Sequence, residues 1–427
     1  MIPTLLKTRR FLPLFLTQFL GAFNDNVFKN ALVMLIAYKL SAQVENAQVL
    51  ITAAAGLFIL PFLLFSAAAG QLADKYDRAK LARITKLAEI VLMIAAAVGF
   101  TLGWVYFLLF ILFCMGAQAT FFGPIKYALL PQHLHEDELI AGNAYIEAGT
   151  FLAILIGTIL GGVLIMSDAG THLISAAIIG FALLGYMSSR YIPMAGSPMP
   201  GLKLNWNIVQ ETWRMIGNDR KNPRVFGCIL GISWFWLVGA TFLSQFPTFA
   251  KDILHGDETV VTLLLTVFSV GIGLGSLLCS ALLKGKIKST YVPMAGICIS
   301  LFTLDLFFAS GAVQASGEML DAWRFLASPG NWCIVFDLLG AAICGGIYIV
   351  PLYAIMQHDS DAKSRARTIA SNNAINALFM VASAIGTMGM LKAGFSVSQV
   401  FLALAGLNVG AVMYMRRIPA TSAGIEV

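Results

Sequence analysis

The sequence predicts an all-α integral membrane protein, with twelve transmembrane helices arranged as two six-helix halves. Three observations predict it. Only 12% of the 427 residues are charged and mean hydropathy is +0.81, whereas a soluble domain carries roughly 25% charged residues. The apolar residues fall in continuous runs long enough to span a bilayer, which takes about 20 residues each. Of the 28 Lys and Arg, 22 border one set of run ends.

The runs lie at roughly 11–38, 47–72, 84–102, 104–128, 140–165, 171–193, 225–250, 259–283, 290–313, 331–356, 369–391 and 397–415. They are long and Gly-dotted. An outer-membrane barrel, whose strands are about ten residues with period two, is excluded. The first run follows Lys7, Arg9 and Arg10 and is too long and too polar at its centre for a cleaved signal segment. Basic clusters at 7–10, 75–86, 190–224, 284–288, 363–367 and 416–417 all border the same ends. Lys39, Lys251, Arg324 and Lys392 mark the opposite ends, and Lys29 and Lys126 fall inside runs. The positive-inside rule then places both termini in the cytoplasm. The net charge of +6 is a topology signal and not a nucleic-acid footprint, because it sits in short loops. Six cysteines fall inside runs with no CxxC, so they are expected to be packing residues rather than metal ligands.

Residues 194–224 break the rhythm, Pro- and Gly-rich at first and amphipathic later. Ile208, Trp213 and Ile216 predict a helix lying at the cytoplasmic interface. The expected organisation is an N-terminal half (1–193), a linker (194–224) and a C-terminal half (225–427). The halves read as a degenerate repeat: Asn143 and Glu147 of the fifth span align with Asn372 and Asn376 of the eleventh, and Gly21-Ala22 recurs as Gly239-Ala240. Two parallel six-helix halves related by an axis along the membrane normal form the major facilitator architecture. The loop Gly70-Gln-Leu-Ala-Asp74-Lys-Tyr-Asp-Arg78-Ala-Lys80 resembles the facilitator signature G-x-L-A-D-[RK]-x-G-R-[RK], with Asp77 in place of its second glycine. That resemblance implies a cytoplasmic clasp in which Gly70, Asp74 and Arg78 act as a gating loop, Asp74 meeting a neighbouring helix terminus and basic groups.

Charges inside a bilayer cost at least ~2.5–3.5 kcal/mol each and mark function. The first span concentrates Gln18, Asn24, Asp25, Asn26, Lys29 and Asn30, with Asp25 and Lys29 in the favoured i,i+4 order. Three asparagines beside this pair give the face the polarity of a cavity lining. Lys126 stands after Gly123-Pro124, and Glu147 lies mid-span one turn beyond Asn143, so it needs a partner from another helix or a proton. Asn372, Asn373 and Asn376 are expected to face it; Glu89, Asp305 and Asp337 are further acids in apolar runs.

At Phe23-Asn-Asp25-Asn26, Gly123-Pro-Ile-Lys126-Tyr127-Ala-Leu-Leu-Pro131 and Gly142-Asn143-Ala-Tyr-Ile-Glu147-Ala-Gly-Thr-Phe151, the sequence resembles the lysophospholipid transporter family. Val350-Pro-Leu-Tyr-Ala354 and Ala370–Asn376 agree with it. This resemblance implies import of lysophosphatidylethanolamine and lysophosphatidylglycerol from the outer to the inner leaflet of the bacterial inner membrane. There a cytoplasmic acyltransferase/acyl-ACP synthetase re-acylates them. The same module also occurs as the N-terminal part of such enzyme fusions, and the tail Pro419–Val427 is a candidate linker remnant. The substrate- or ion-binding residues expected are Asp25, Asn26, Lys29, Asn30, Lys126, Tyr127, Asn143, Glu147, Asn372 and Asn376. The resemblance implies a basic residue in the seventh span after Gly-x-Thr; here Gly239-Ala240-Thr241 leads into Phe242-Leu-Ser-Gln245.

The physics suits a one-chain amphiphile. Lys29 or Lys126 can pair with a phosphate as point charges, Asp25 or Glu147 can meet an ammonium, and the 30 phenylalanines can line a lateral opening. Rocking of the halves alternates access. No cofactor is expected, and H+ or Na+ coupling is left open. The alternatives are a facilitator of another solute or drug, and a membrane acyltransferase. The second needs His-x4-Asp, and none of the five histidines has Asp at that spacing. The Gly271-x-Gly273-x-Gly275 run lacks the strand–turn–helix context of a nucleotide site. A monomer is expected.

Overall fold

The computed structural model describes residues 5–39, 47–313 and 319–416; Arg417 and the tail from Pro419 lie outside them. Fourteen α-helices occur among the described residues: α1 (Leu12–Met34), α2 (Ala47–Lys75), α3 (Arg78–Leu102), α4 (Val105–His133), α5 (Leu139–Met166), α6 (Gly170–Arg190), α7 (Ile208–Asp219), α8 (Pro223–Thr248), α9 (Glu258–Leu283), α10 (Val292–Gly311), α11 (Ala322–Ala327), α12 (Trp332–Asp359), α13 (Arg365–Lys392) and α14 (Val397–Met415). Eleven are long and apolar enough to cross a membrane. The long helix outside that set is α1, whose apolar run is interrupted by Asn24, Asp25, Asn26, Lys29 and Asn30. Apart from an isolated β-bridge between Gly256 and Leu320, the described residues pair no strands. Val91, Phe110 and Leu301 turn more than half of their surface outward, as lipid solvation requires.

Contacts gather the chain into two units. One comprises Met1–Gly142, Leu152–Asn222 and Ser360–Ala377; the other comprises Asn143–Phe151, Pro223–Asp359 and Leu378–Val427. In the first, α2 packs on α4, α3 on α4 and α6, and α1 on α6. In the second, α9 packs on α12, α10 on α12 and α14, and α8 on α12. Lipid tails are as apolar as Leu, so these crossings rely on close backbone approach rather than hydrophobic drive. Gly116 of α4 lies against the Phe58 carbonyl of α2, and Gly346 of α12 against the Ile272 carbonyl of α9. A methyl group at either glycine would enter that carbonyl. Helices α1 and α8 each run into a five-residue π-turn, Leu35–Lys39 and Phe249–Ile253.

Helix α7 is the predicted amphipathic segment, started by Asn207, whose side chain accepts from the Gln210 N–H. Its packed face differs from the expected one. Glu211, Met215 and Asp219 are buried, and Ile208 packs with Ala67, Met215 and Ala370. Trp213 is 67% exposed, beside exposed Trp206 and Val209. The inward stripe follows the residues that fit α2 and α13, which leaves the tryptophans on the outer face.

The Thr368 hydroxyl donates to Asp219 Oδ1 at 2.9 Å. Burial raises the Asp219 carboxyl to about 6, against the pull of its hydrogen bonds and of Arg367. An acid whose folded pKa exceeds its unfolded value stabilises the protein while protonated. That contribution is lost as pH rises from about 4 to about 6. Asp219→Asn keeps the acceptor and removes the titration. The variant is expected to flatten the fall in melting temperature of the purified protein between those pH values, a term of about 3 kcal/mol. An unchanged pH profile would show that Asp219 does not titrate there.

Candidate functional site

The polar face of α1 resolves into distinct tasks. Gly21 comes first, because a side chain there would strike the Lys86 ammonium. Asn24 is fully buried and donates to Glu89 Oε1 and to the Ile178 carbonyl, both at 3.2 Å. Asp25 is half-buried, and its Oδ1 is out of solvent with no hydrogen-bond partner. Asn26 turns back to the Ala22 carbonyl of its own helix at 2.7 Å. The Lys29 ammonium lies over the Phe58 ring of α2, 5.8 Å from its centroid. Asn30 donates to the Thr158 carbonyl of α5 at 2.6 Å. The i,i+4 spacing of Asp25 and Lys29 leaves them electrostatic neighbours without closing them into an ion pair.

Behind this face lies a network the sequence only hinted at. Lys86 and Glu89 of α3 form a buried ion pair at 2.6 Å. Gln118 of α4 donates to Glu89 Oε2 at 3.2 Å, and the Lys86 ammonium sits over the Phe122 ring at 4.9 Å. Asp25 is in electrostatic reach of Glu89, Lys86, Lys29 and Lys126. The unit thus gathers three lysines and two carboxylates around one polar face of an otherwise apolar bundle. The basic-cluster reading counted Lys86 among the charges bordering one end of a span, and the structure places it 1% exposed inside α3. The i,i+3 spacing of Lys86 and Glu89 was the available signal.

Lys126 is half-buried with its ammonium over the Tyr127 ring at 4.7 Å, and Tyr127 itself is buried. Along the same unit, Phe11, Phe15, Phe19 and Phe23 form a ladder of rings at 6.0–6.2 Å on α1. The ladder ends edge-on against Phe181 at 4.6 Å. Asn372 is fully buried with neither amide atom hydrogen-bonded, and Asn376 is buried. Asn373 packs over Gly123.

Asn143 and Glu147 fall in the second unit, away from the α1 set in that division. Asn143 and Gln357 of α12 exchange two amide hydrogen bonds at 2.9 and 2.8 Å, both side chains fully buried. Asn143 therefore positions α5 against α12 in this state. Glu147 is fully buried one turn on, and Phe151 stacks on Trp236 at 6.1 Å in the turn after that. After Gly239-Ala240-Thr241, Phe242 is buried and stacks on Phe401 at 4.6 Å. Thr241 hydrogen-bonds Ser383 at 2.7 Å. That stretch of α8 is an aromatic core.

The signature loop meets the start of α13. Asp74 and Arg78 are both fully buried and paired at 2.9 Å. Asp74 Oδ1 also accepts the Ala366 N–H at 3.0 Å, while Oδ2 accepts from the Arg367 N–H at 3.3 Å and its Nε at 3.0 Å. The carboxylate thus caps the N-terminus of α13, where the helix dipole favours an anion. Arg78 spends its other donors on the Ala73 and Ala128 carbonyls at 3.0 and 3.2 Å. Gly70 is required by space: a Cβ would stand 2.7 Å from the Ala370 Cβ and 2.9 Å from the Arg367 Cα. Asp77 explains the lost second glycine. Its backbone is extended, with φ −60° and ψ 122°, and it caps α3. Its other oxygen accepts the Ala195 and Gly196 N–H groups at 3.0 and 2.6 Å.

Comparison with known proteins agrees with this architecture. The chain is 28% identical over 346 residues to the lysophospholipid transporter LplT of Escherichia fergusonii, covering 80% of this chain and 78% of that one. It is 26% identical over 352 residues to LplT of Escherichia coli O1:K1 / APEC, with the same coverage. The Major Facilitator Superfamily transporter FucP in its outward conformation superposes with a TM-score of 0.72 at 12% identity, over 96% of this chain and 99% of that one. The human organic anion transporter MFSD10 superposes with a TM-score of 0.70 at 12% identity, over 95% and 99%. At that identity the two structures speak for the fold alone. The resemblance carried by the sequence motifs is thus met by the relatives, and the chain is a multi-pass membrane protein of transporter type. The family model for the Major Facilitator Superfamily matches residues 14–386, and the chain belongs to that superfamily.

Proposed function

We propose that the protein is a lysophospholipid transporter of the bacterial inner membrane. It takes lysophosphatidylethanolamine and lysophosphatidylglycerol from the outer to the inner leaflet by alternating access. The observation that carries this reading is the charged face of α1. Asp25, Lys29, Lys86, Glu89 and Lys126 share one electrostatic neighbourhood, and the phenylalanine ladder Phe11–Phe23 runs along the same helix. A lysolipid needs both surfaces, a polar one for its phosphate and an apolar one for its single chain. Lys29 and Lys126 are the phosphate-binding cations and Asp25 is the partner of an ethanolamine ammonium. Asn372 and Asn376 of the same unit extend the polar path. The names of the relatives support the substrate class.

Twelve spans follow when α1 is counted with the eleven apolar helices. Matching helix pairs within each unit and matching π-turns after α1 and α8 support two repeated halves, with 194–224 as the linker. Both termini then face the cytoplasm, and the Asp74 clasp closes the cytoplasmic gate. The protein works as a monomer and delivers lysolipid to a cytoplasmic acyltransferase/acyl-ACP synthetase.

The test is uptake of labelled lysophosphatidylethanolamine by spheroplasts of a host lacking its own importer. Wild type is compared with equally expressed Asp25→Ala. Wild-type uptake with at least a tenfold loss in the variant is expected, the size of one lost charge-assisted contact. Absence of uptake by well-expressed wild type overturns the lipid assignment and leaves a facilitator of another solute.

A further inference from the structure

A cavity of about 220 Å³ lies in the second unit, among residues that the proposed substrate site does not use. Four helix ends form it. Arg224 and Cys228 come from the start of α8, Ser289, Thr290 and Pro293 from the entry to α10, Leu352 and Ile355 from the last turns of α12, and Met415 and Arg416 from the end of α14. Its mouth is cationic. Arg416 is exposed and Arg224 is buried. The Asp359 carboxylate holds Arg224 at 3.2 Å and meets His358 at 2.7 Å. The cations therefore remain in excess. Its depth is apolar, walled by Leu352, Ile355, Met415 and Pro293.

Each feature narrows the ligand. A water occupies about 30 Å³, so a single solvent molecule or small ion does not fill the space. Two guanidinium groups and two hydroxyls match the oxygens of a phosphate. The apolar wall matches the glycerol and first methylenes of a lipid. Cationic pockets between spanning helices at the membrane surface are where anionic headgroups are held. We propose that this cavity binds the phosphodiester headgroup of an anionic bilayer phospholipid, held by Arg416, Arg224, Ser289 and Thr290. The lipid is a resident ligand that ties the ends of α8, α10, α12 and α14 together. This site does not depend on which solute the protein transports.

The test is thermal unfolding of the full-length protein in detergent with dioctanoyl-phosphatidylglycerol, dioctanoyl-phosphatidylcholine or inorganic phosphate. Arg416→Gln, Thr290→Trp and the distant control Lys203→Gln are measured beside wild type. Phosphatidylglycerol alone is expected to raise the melting temperature of wild type and the control. Arg416→Gln is expected to need roughly tenfold more lipid for the same shift, and Thr290→Trp, which fills the cavity, to lose the response. Equal stabilisation by phosphatidylcholine, or an unchanged response in both cavity variants, overturns the proposal. Stabilisation by inorganic phosphate at the same concentration overturns the lipid as its source.

Discussion

Glutamine in place of Glu89 is expected to abolish transport and to destabilise the protein by about 3–5 kcal/mol, the cost of stranding one member of a buried ion pair. Glu89 binds Lys86 at 2.6 Å, accepts from Asn24 and Gln118, and is 1% exposed. Neutralising it leaves the Lys86 ammonium facing an amide inside the bundle, with the Phe122 ring beside it and Asp25 in electrostatic reach. Lys86→Met strands the carboxylate instead. The double variant removes both charges and is expected to recover most of the stability, because a buried pair replaced by neutral groups of similar size is often close to neutral. A double-mutant cycle read by melting temperature checks this. A coupling below about 0.5 kcal/mol means that the pair does not act as a unit. Transport separates the two roles of the network. If the double variant folds and still imports at the wild-type rate, Lys86 and Glu89 only hold α3 against α1 and α4. If it folds and does not import, their charges serve the substrate path.

Removing the Asp74 carboxylate is the second large effect. Asp74→Ala releases Arg78, Arg367 and two backbone N–H groups at the start of α13 in one step. Arg78 is fully buried, so it is left as an uncompensated internal cation, again a cost of about 3–5 kcal/mol. Arg367→Lys removes only the side-chain bond to Oδ2 and leaves the Ala366 and Arg367 N–H groups in place, a cost of about 1 kcal/mol. The predicted order of melting temperatures is wild type, Arg367→Lys, then Asp74→Ala well below. An Asp74→Ala protein as stable as Arg367→Lys contradicts the geometry of the clasp. In transport assays, Asp74→Ala is expected to lower uptake more than Arg367→Lys, because the backbone N–H groups that cap α13 lose their acceptor only in the former.

The reach of the sequence follows the range of each interaction. Whether a segment crosses a bilayer depends on how many consecutive residues are apolar, a local property. The run at 397–415 accordingly coincides with α14, and 331–356 differs from α12 by a few residues at its polar end. Asp74 and Gly70 were legible because the motif holds them in one loop. Asp77 shows the limit: it stands where the motif has a glycine, yet it caps α3 and binds the backbone at 195–196. Lys86 shows it again. A lysine near a basic loop looks solvated until α1 and α4 close over it, with Gly21 leaving room for its ammonium.

By itself, then, the amino-acid order determined the membrane solvent, the position of nearly every span, the polar character of α1 and the superfamily motif, since each depends on residues within one helix or loop. The tertiary structure decided which polar groups meet. Asn143 reaches Gln357 across 214 positions, Asp74 reaches Arg367 across 293, and Asn24 reaches Glu89 across 65. In a bilayer almost every face of a helix is apolar, so hydrophobic patterning says little about which face turns inward. That choice belongs to the neighbouring helices, through the glycines that admit them and the buried charges that need partners.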